Sequence, residues 1–246
     1  MLSYRSTAEE IGQAKPGTVL LPIGSVEQHG PHLPIGTDTM LANDIAEAIG
    51  ARIGALVLPA MPISTCREHR GGAGSVWMDA ATWMQAIKDI AKCLQAQGFR
   101  RLILYVYHGG VFAAGPVTRE INADSDGIKV IRVDMMSHIN TKEAEMILEA
   151  PVNIHACEFE TSLMLYLHEE LVRRDKIDDC VPDAPRDYLN YVPLLKLSRN
   201  GVWGMPSLAT KEKGEALFRM MVDKAVEYIE DVQRVLDENI PPVTCR

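Results

Sequence analysis

Short apolar segments alternate with helix-like segments along most of this 246-residue chain, and most of the apolar segments end near glycine or proline. Near-continuous apolar strands are buried on both faces, so they are typical of a parallel sheet covered by helices. The pattern therefore predicts an α/β protein, a three-layer α/β/α sandwich around a mostly parallel sheet. The predicted strands are Thr18–Ile23, Ala55–Leu58, Arg101–Tyr107 and Lys129–Val133, the predicted helices are Thr39–Ile49, Ala80–Gln97, Phe112–Asn122, Glu160–Glu170 and Glu215–Asp237, and Asp178–Pro193 is predicted to be a long loop.

Composition and charge exclude several classes of protein. No apolar run approaches the roughly 20 residues of a membrane span, and the net charge of −8 without a basic cluster disfavours nucleic acid as a partner. There is no internal repeat or boundary, so residues 1–246 are predicted to form a single domain. The N-terminus lacks an apolar signal-peptide core, and the 5 scattered cysteines are typical of free thiols. Both features predict a cytoplasmic location without a membrane partner.

A loop rich in glycine and proline follows the first predicted strand and carries Glu27, His29 and Asp38. Such a loop can be rigid and bent, so that it directs side chains to one point. Glu27 and His29 are two residues apart and would point the same way in an extended segment. Oxygen and nitrogen donors in this arrangement suit a divalent metal ion. Two alternatives are that Asp38 caps the next helix and that His32 makes a local hydrogen bond.

Further candidate ligands follow other strands. His108 comes directly after Arg101–Tyr107, and His155 and Glu160 follow the fourth predicted strand after a longer excursion. Sites in open α/β sheets form outside the carboxyl ends of the strands, so these side chains are expected to meet the first loop. A single histidine in a loop would more simply be exposed or bonded to the backbone.

The segment from Gly24 to Asp38 resembles the signature of the creatininase family, which reads Gly-Ser-x-Glu-Gln-His-Gly-Pro-His-Leu-Pro-x-Gly-Thr-Asp. The resemblance implies two divalent metal ions per chain (zinc, manganese or iron), with Asp38 bridging them. It also implies a metal-dependent hydrolase that assembles as a homo-oligomer such as a hexamer. The metal ligands that the resemblance implies are Glu27, His29, Asp38, His108 and Glu160.

Two later segments match the family pattern in part. Tyr107-His108-Gly109-Gly110 resembles Asn-Gly-His-Gly-Gly-Asn, but creatininase itself has a metal-binding glutamate where Gly110 stands, so its ligand set is not fully reproduced. The segment from His155 to Ser162 resembles His-Ala-Gly-x-x-Glu-Thr-Ser, which implies proton transfer by His155 and metal binding by Glu160. Glu158 is the competing carboxylate, otherwise a solvent-facing residue. Cys157 replaces the usual glycine and could be a reactive thiol.

A charged loop between Ser64 and Trp77 loosely resembles the family segment Glu-His-x-x-Phe-Pro-Gly-Thr-Ile-Ser. Its hydrogen-bonding capacity favours a polar substrate, although a solvated charged loop would explain it too. The predicted substrate-binding residues are Arg67, Glu68, His69, Ser75 and Trp77.

Three functions remain open at this point. The first is hydrolysis of a C–N bond in a small polar cyclic amide, in which the ions would activate water and polarise the carbonyl group. The second is ring-opening C–C hydrolysis of a cyclic diketone derived from inositol, which is implied by other members of the family. The third is a metal-binding or ligand-binding module without catalysis.

Overall fold

The central sheet has four parallel strands, in the order β2 (Leu56–Val57), β1 (Thr18–Ile23), β3 (Arg101–Val106) and β4 (Lys129–Asp134). The computed structural model describes residues 1–237, so Cys245, one of the predicted free thiols, lies outside the described residues. β1 pairs with β3 from Thr18 opposite Arg101 to Ile23 opposite Val106. Because the strands are parallel, their carboxyl ends lie at one edge of the sheet. A separate antiparallel pair is formed by β5 (Asn153–His155) and β6 (Trp203–Gly204).

Helices cover both faces of the sheet, and each predicted helix is present with shifted ends. Four short helices, Ala8–Ala14, Met135–Ile139, Lys142–Ile147 and Leu194–Leu197, were not predicted. Among residues 1–237, no helix is both long and apolar enough to cross a membrane. The helices are α1 (Ala8–Ala14), α2 (Thr37–Ile53), α3 (Ala80–Ala96), α4 (Ala114–Asp124), α5 (Met135–Ile139), α6 (Lys142–Ile147), α7 (Glu158–Leu167), α8 (Leu194–Leu197) and α9 (Lys211–Asp237).

Alternate strand residues divide the core into two layers. Leu20 and Ile103 face one side of the sheet, where they pack with residues of α2, α7 and α9. Val19 and Leu102 face the other side, where they pack with residues of α3 and α4. This arrangement confirms the predicted three-layer sandwich around a parallel sheet.

A close contact fixes α7 against α9. A Cβ atom on Gly214 of α9 would lie 1.9 Å from the carbonyl oxygen of Ser162 in α7, so only glycine allows this approach of the two backbones. The rings of Tyr166 and Phe218 pack beside the contact, with centroids 5.8 Å apart. The first turn of α7, which carries Glu160, is therefore held by the core.

Candidate metal centre

Carboxylates and imidazoles from distant parts of the chain meet at the carboxyl edge of the sheet. Two come from the loop after β1, one from the first turn of α2, one from the second residue after β3, one from the end of β5 and one from the first turn of α7. All are almost completely buried, which is unusual for such polar groups unless they have partners. In that order they are Glu27 and His29, Asp38, His108, His155 and Glu160.

The two carboxylate oxygens of Asp38 face different groups. Oδ1 lies 3.2 Å from Nε2 of His29, and Oδ2 lies 3.1 Å from Nδ1 of His108. Two sets of potential ligands therefore share Asp38: one adds Glu27 and His108, and the other adds His29 and Glu160. Within each set, one donor atom per residue lies within 4.8 Å of the others. Each set could hold one metal ion.

Glu27 stands at the centre of the histidines. Its Oε1 lies 3.1 Å from Nε2 of His69 and 3.6 Å from Nδ1 of His155. Its Oε2 lies 3.2 Å from Nε2 of His108 and accepts a hydrogen bond of 2.7 Å from the hydroxyl of Ser25. Glu27, His29 and His155 form a third possible ligand set, which reuses two residues of the other two sets.

The electrostatics of the cluster call for positive charge. Burial raises the pKa of Glu27 to about 8. Burial opposes protonation of His29, yet Asp38 and Glu160 hold its pKa well above its usual value. Burial acts in the same way on His108, and Glu27 and Asp38 together raise its pKa well above the usual range. A divalent cation would supply this charge in place of the two protonated imidazoles.

Unpartnered atoms also fit a cation. Oε1 of Glu27, Oδ2 of Asp38 and Nε2 of His108 are buried without a hydrogen-bond partner among the described residues. Buried polar atoms rarely lack a partner, and these atoms suit a bound cation. Carboxylate oxygens and imidazole nitrogens are ligands that zinc, manganese and iron all accept.

His155 is held by the backbone of the first loop. Its Nε2 lies 2.7 Å from the carbonyl oxygen of Gln28, which assigns the ring proton to Nε2 and leaves the lone pair on Nδ1 facing Glu27. Burial and the nearby His29 lower the pKa of His155 to about 4, so the ring is neutral near pH 7. Nδ1 can therefore accept a proton from the cluster.

Gln28 was not among the residues predicted for the site. Its side-chain nitrogen lies 3.2 Å from His69 and 3.2 Å from His155, and it donates to the carbonyl oxygen of Gly201. The available signal was its position between two candidate ligands in the first loop. Gln28 links the loop, both histidines and the segment before β6.

The predicted substrate-binding residues divide into two groups. Glu68 and His69 line the cavity beside the cluster. Arg67 instead forms an exposed ion pair with Asp79, Ser75 accepts a hydrogen bond from the backbone of Gln28, and Trp77 is partly exposed away from the cavity wall. Substrate contact by these three residues stays a prediction.

Other parts of the cavity wall come from residues that no motif indicated. Arg186 lies on a 3-10 turn inside the predicted long loop, and its guanidinium lies 3.4 Å from the carbonyl oxygen of Gly109. β4 ends at the same sheet edge, so its position was the available signal for the residues that follow it. The apolar wall residues are Met135, Met136, Ile154, Leu189 and Leu194.

The two carboxylates of α7 point in different directions. Glu160 faces the cluster, with Oε1 3.8 Å from Nε2 of His29. Glu158 is fully buried, accepts hydrogen bonds from the backbone of Glu149 and Ala150, and pairs with Lys213. The alternative of a solvent-facing Glu158 is therefore wrong, because this side chain is a buried anchor.

Cys157 and His32 also have defined surroundings. Burial raises the pKa of the Cys157 thiol well above its usual value, which keeps it protonated and disfavours a reactive thiolate. Nε2 of His32 lies 2.9 Å from the hydroxyl of Thr161. The hydrogen bond expected for His32 is present, but it links the first loop to α7 and is not local.

Comparison with known proteins shows the same family for nearly the whole chain. The family model described as creatinine amidohydrolase matches residues 4–229. A creatinine amidohydrolase from Pseudomonas putida is 28% identical over 87% of this chain and 88% of the relative. A mycofactocin precursor peptide peptidase from Mycobacterium ulcerans is 27% identical over 91% and 88%. A 3-dehydro-scyllo-inosose hydrolase from Thermotoga maritima is 26% identical over 91% and 78%.

Solved structures with the same fold include two creatininases described with metals. A creatininase structure with manganese has a TM-score of 0.80 at 25% identity, over 94% of this chain and 98% of the other. A substituted creatininase of the Zn-Zn type has a TM-score of 0.78 at 26% identity, over 94% and 97%. With the family model spanning most of the chain and the buried carboxylate–imidazole cluster at the sheet edge, the chain belongs to the creatininase family of metal-dependent hydrolases.

Proposed function

We propose that this hydrolase holds two divalent metal ions and opens a small cyclic amide by C–N hydrolysis. The observation that carries the proposal is the orientation of Asp38, whose two oxygens face two separate ligand sets. A carboxylate that binds one ion through each of its oxygens needs both oxygens free. Both oxygens are buried here among histidines and other carboxylates.

Each ion would have its own ligands besides Asp38. Glu27 and His108 would hold one ion, and His29 and Glu160 would hold the other. When bound, the pair would lower the pKa of a water molecule and polarise a carbonyl group.

His155 is the proposed proton carrier. Its neutral ring presents the Nδ1 lone pair toward the cluster, while the carbonyl oxygen of Gln28 fixes the tautomer. A proton taken at Nδ1 would pass to the nitrogen that leaves as the amide bond breaks. General acid–base catalysis of this kind typically contributes about 10²–10⁴-fold to a rate.

The cavity wall favours a small and partly apolar substrate. Met135, Met136 and Leu194 contribute apolar surface to this wall. A cyclic amide has one carbonyl group to place at the cluster and an apolar ring to pack against this wall. The several hydroxyls of a polyol would leave polar groups unpaired on the same wall.

A second candidate is C–C hydrolysis of a cyclic diketone derived from inositol. The observation that favours it is the pair of charged side chains, Glu68 and Arg186, that line the cavity and could bond hydroxyl groups. The similarity to 3-dehydro-scyllo-inosose hydrolase points the same way.

The first experiment is the metal content per chain, measured by plasma mass spectrometry on protein purified without chelators. We expect two ions in the wild type and none in Asp38→Ala. Asp44→Ala is the matched control, since Asp44 lies on the same helix and pairs with His168 outside the cluster. Two retained ions in Asp38→Ala would exclude the shared role.

Substrate screening follows if the ions are present. Cyclic amides and oxidised inositols should be supplied to the metal-loaded wild type and to His155→Ala. Ring opening of amides supports the first candidate, and ring opening of oxidised inositols alone replaces it by the second. A wild type that binds no ion even after zinc or manganese is added would exclude both, and the function would then be that of a binding module.

A further inference from the structure

We propose that Glu68 is an additional carboxylate ligand of the metal ion that Glu27, Asp38 and His108 would hold. The Glu68 carboxylate occupies the space that a side chain at position 110 would fill. This inference rests on the proposed dinuclear function and adds a ligand from a separate loop. The observation that carries it is the contact between Glu68 and Gly110.

The carboxylate of Glu68 lies where Gly110 has no side chain. A Cβ atom built on Gly110 would lie 1.8 Å from Oε1 of Glu68 and 2.4 Å from Nε2 of His108. Gly110 is not among the glycines with positive φ, so its backbone conformation does not itself require glycine. Glycine is needed because two side chains, Glu68 and His108, enter the space that a Cβ would fill.

Glu68 points into the cluster and not into solvent. Its Oε1 lies 3.5 Å from Nε2 of His108, and its side chain is only 18% exposed. Among residues 1–237, no lysine or arginine forms an ion pair with it, because the neighbouring Arg67 turns away to Asp79. A solvated charged loop would leave this carboxylate in water and not mostly buried beside His108.

The loop that carries Glu68 is fastened on both sides. Glu68 lies in the 3-10 turn Arg67–His69. On one side, the hydroxyl of Thr65 donates to the carbonyl oxygen of Gly110 at 2.9 Å. On the other side, Nε2 of His69 lies 3.1 Å from Glu27. These contacts hold the Glu68 arm at the cluster from a segment independent of the other ligands.

Three carboxylates therefore surround the ring of His108. Glu27 and Glu68 face its Nε2 and Asp38 faces its Nδ1, at 3.2, 3.5 and 3.1 Å. Although Nε2 of His108 faces two of these carboxylates, it is buried without a hydrogen-bond partner among the described residues. Such a concentration of negative charge around one buried imidazole is expected where a divalent cation binds.

The test is a calorimetric titration of metal-free protein with Zn²⁺ and with Mn²⁺. The variants are Glu68→Gln, Glu68→Asp and the control Asp79→Asn, which removes a nearby exposed carboxylate outside the cavity. We expect two ions in the wild type and the control. In Glu68→Gln, the Kd of one ion should rise by at least about 10-fold, and the Kd of the other ion should not change. A loss of affinity of about 10-fold is the lower end of the effect of removing a group that only hydrogen-bonds to a metal ligand.

Two further variants separate a ligand from a structural residue. Glu68→Asp keeps the charge and shortens the arm, so it should also weaken one ion, while a purely structural residue would lower the melting temperature and leave both Kd values unchanged. Gly110→Ala should weaken the same ion, since its Cβ would displace the Glu68 carboxylate. Unchanged affinities in Glu68→Gln or in Gly110→Ala would overturn the inference. A wild type that binds no ion would overturn the dinuclear function itself, which is a distinct result.

Discussion

Replacing Glu158 by glutamine tests whether the two carboxylates at the start of α7 have separate roles. Glu158 is fully buried, accepts hydrogen bonds from the backbone of Glu149 (3.0 Å) and Ala150 (2.7 Å), and pairs with Lys213, whose side chain is 15% exposed. Glutamine keeps the size and one acceptor oxygen, but it leaves the Lys213 ammonium beside a neutral group.

The magnitude follows from the partners that Lys213 keeps. Removing one member of a buried ion pair costs about 3–5 kcal/mol. Lys213 retains the side chain of Glu149 and the carbonyl oxygen of Leu208, so we expect the low end, about 3 kcal/mol. For a chain of this length, each 1 kcal/mol lowers the melting temperature by about 2–4 °C, which gives a decrease of about 6–12 °C.

The assay combines urea denaturation at pH 7 with metal content. Glu158→Gln should unfold at lower urea and keep its metal ions, while Glu160→Gln should lose one ion. Lys213→Met is the matched control and should destabilise in the same direction as Glu158→Gln. Loss of metal from Glu158→Gln at unchanged stability would show that Glu158 binds metal. It would refute a structural role for Glu158 and metal binding by Glu160 in its place.

Three further predictions concern other parts of the molecule. His155→Ala should lower kcat by about 10²–10⁴-fold with metal content unchanged, and loss of metal would make His155 a ligand. Burial lowers the pKa of His138 to about 4 from an ordinary 6.5, so the unfolded chain binds a proton at His138 more readily than the folded chain does. The contribution of neutral His138 to the free energy of unfolding is therefore complete above pH 6.5 and is lost as the pH falls toward 4. In urea titrations across that range, His138→Gln should show a shallower pH dependence, and an unchanged slope would contradict it. Gly214→Ala should gain about 1 kcal/mol from helix propensity but lose about 2–3 kcal/mol, because its Cβ would clash with the backbone of Ser162. A melting temperature at or above that of the wild type, measured by calorimetry, would disprove this.

The strands were predictable because their apolar runs are short and bounded. β1 was predicted with its observed ends, and β3 and β4 within one residue. The start of α2 was predicted too late, since Asp38 looked like a capping residue. In the structure the helix begins at Thr37, whose hydroxyl donates to the carbonyl oxygen of Pro34, and Gly36 occupies the cap without a side-chain bond.

The candidate site was predictable only where ligand-type residues follow strands or belong to the family pattern. Glu27, His108 and Glu160 satisfy one of these conditions, and they do come together. The residues of the cavity wall could not be predicted in the same way. Arg186 and Leu194 lie in segments without apolar periodicity, and their position depends on long-range packing. The direction of Arg67 was equally unpredictable, since its ion pair with Asp79 depends on the three-dimensional path of the loop.

The polar side chains that line the site differ in the kind of backbone segment that carries them. Asp38 and Glu160 sit in the first turns of α2 and α7, two helices built into the apolar core, whereas Glu68 and Arg186 project from irregular connections. Descendants of one ancestor could therefore inherit the helical donors with the core and vary the connections freely. The three relatives, which are named for a creatinine, a peptide and an inosose activity, fit this arrangement of constant helices and variable connections.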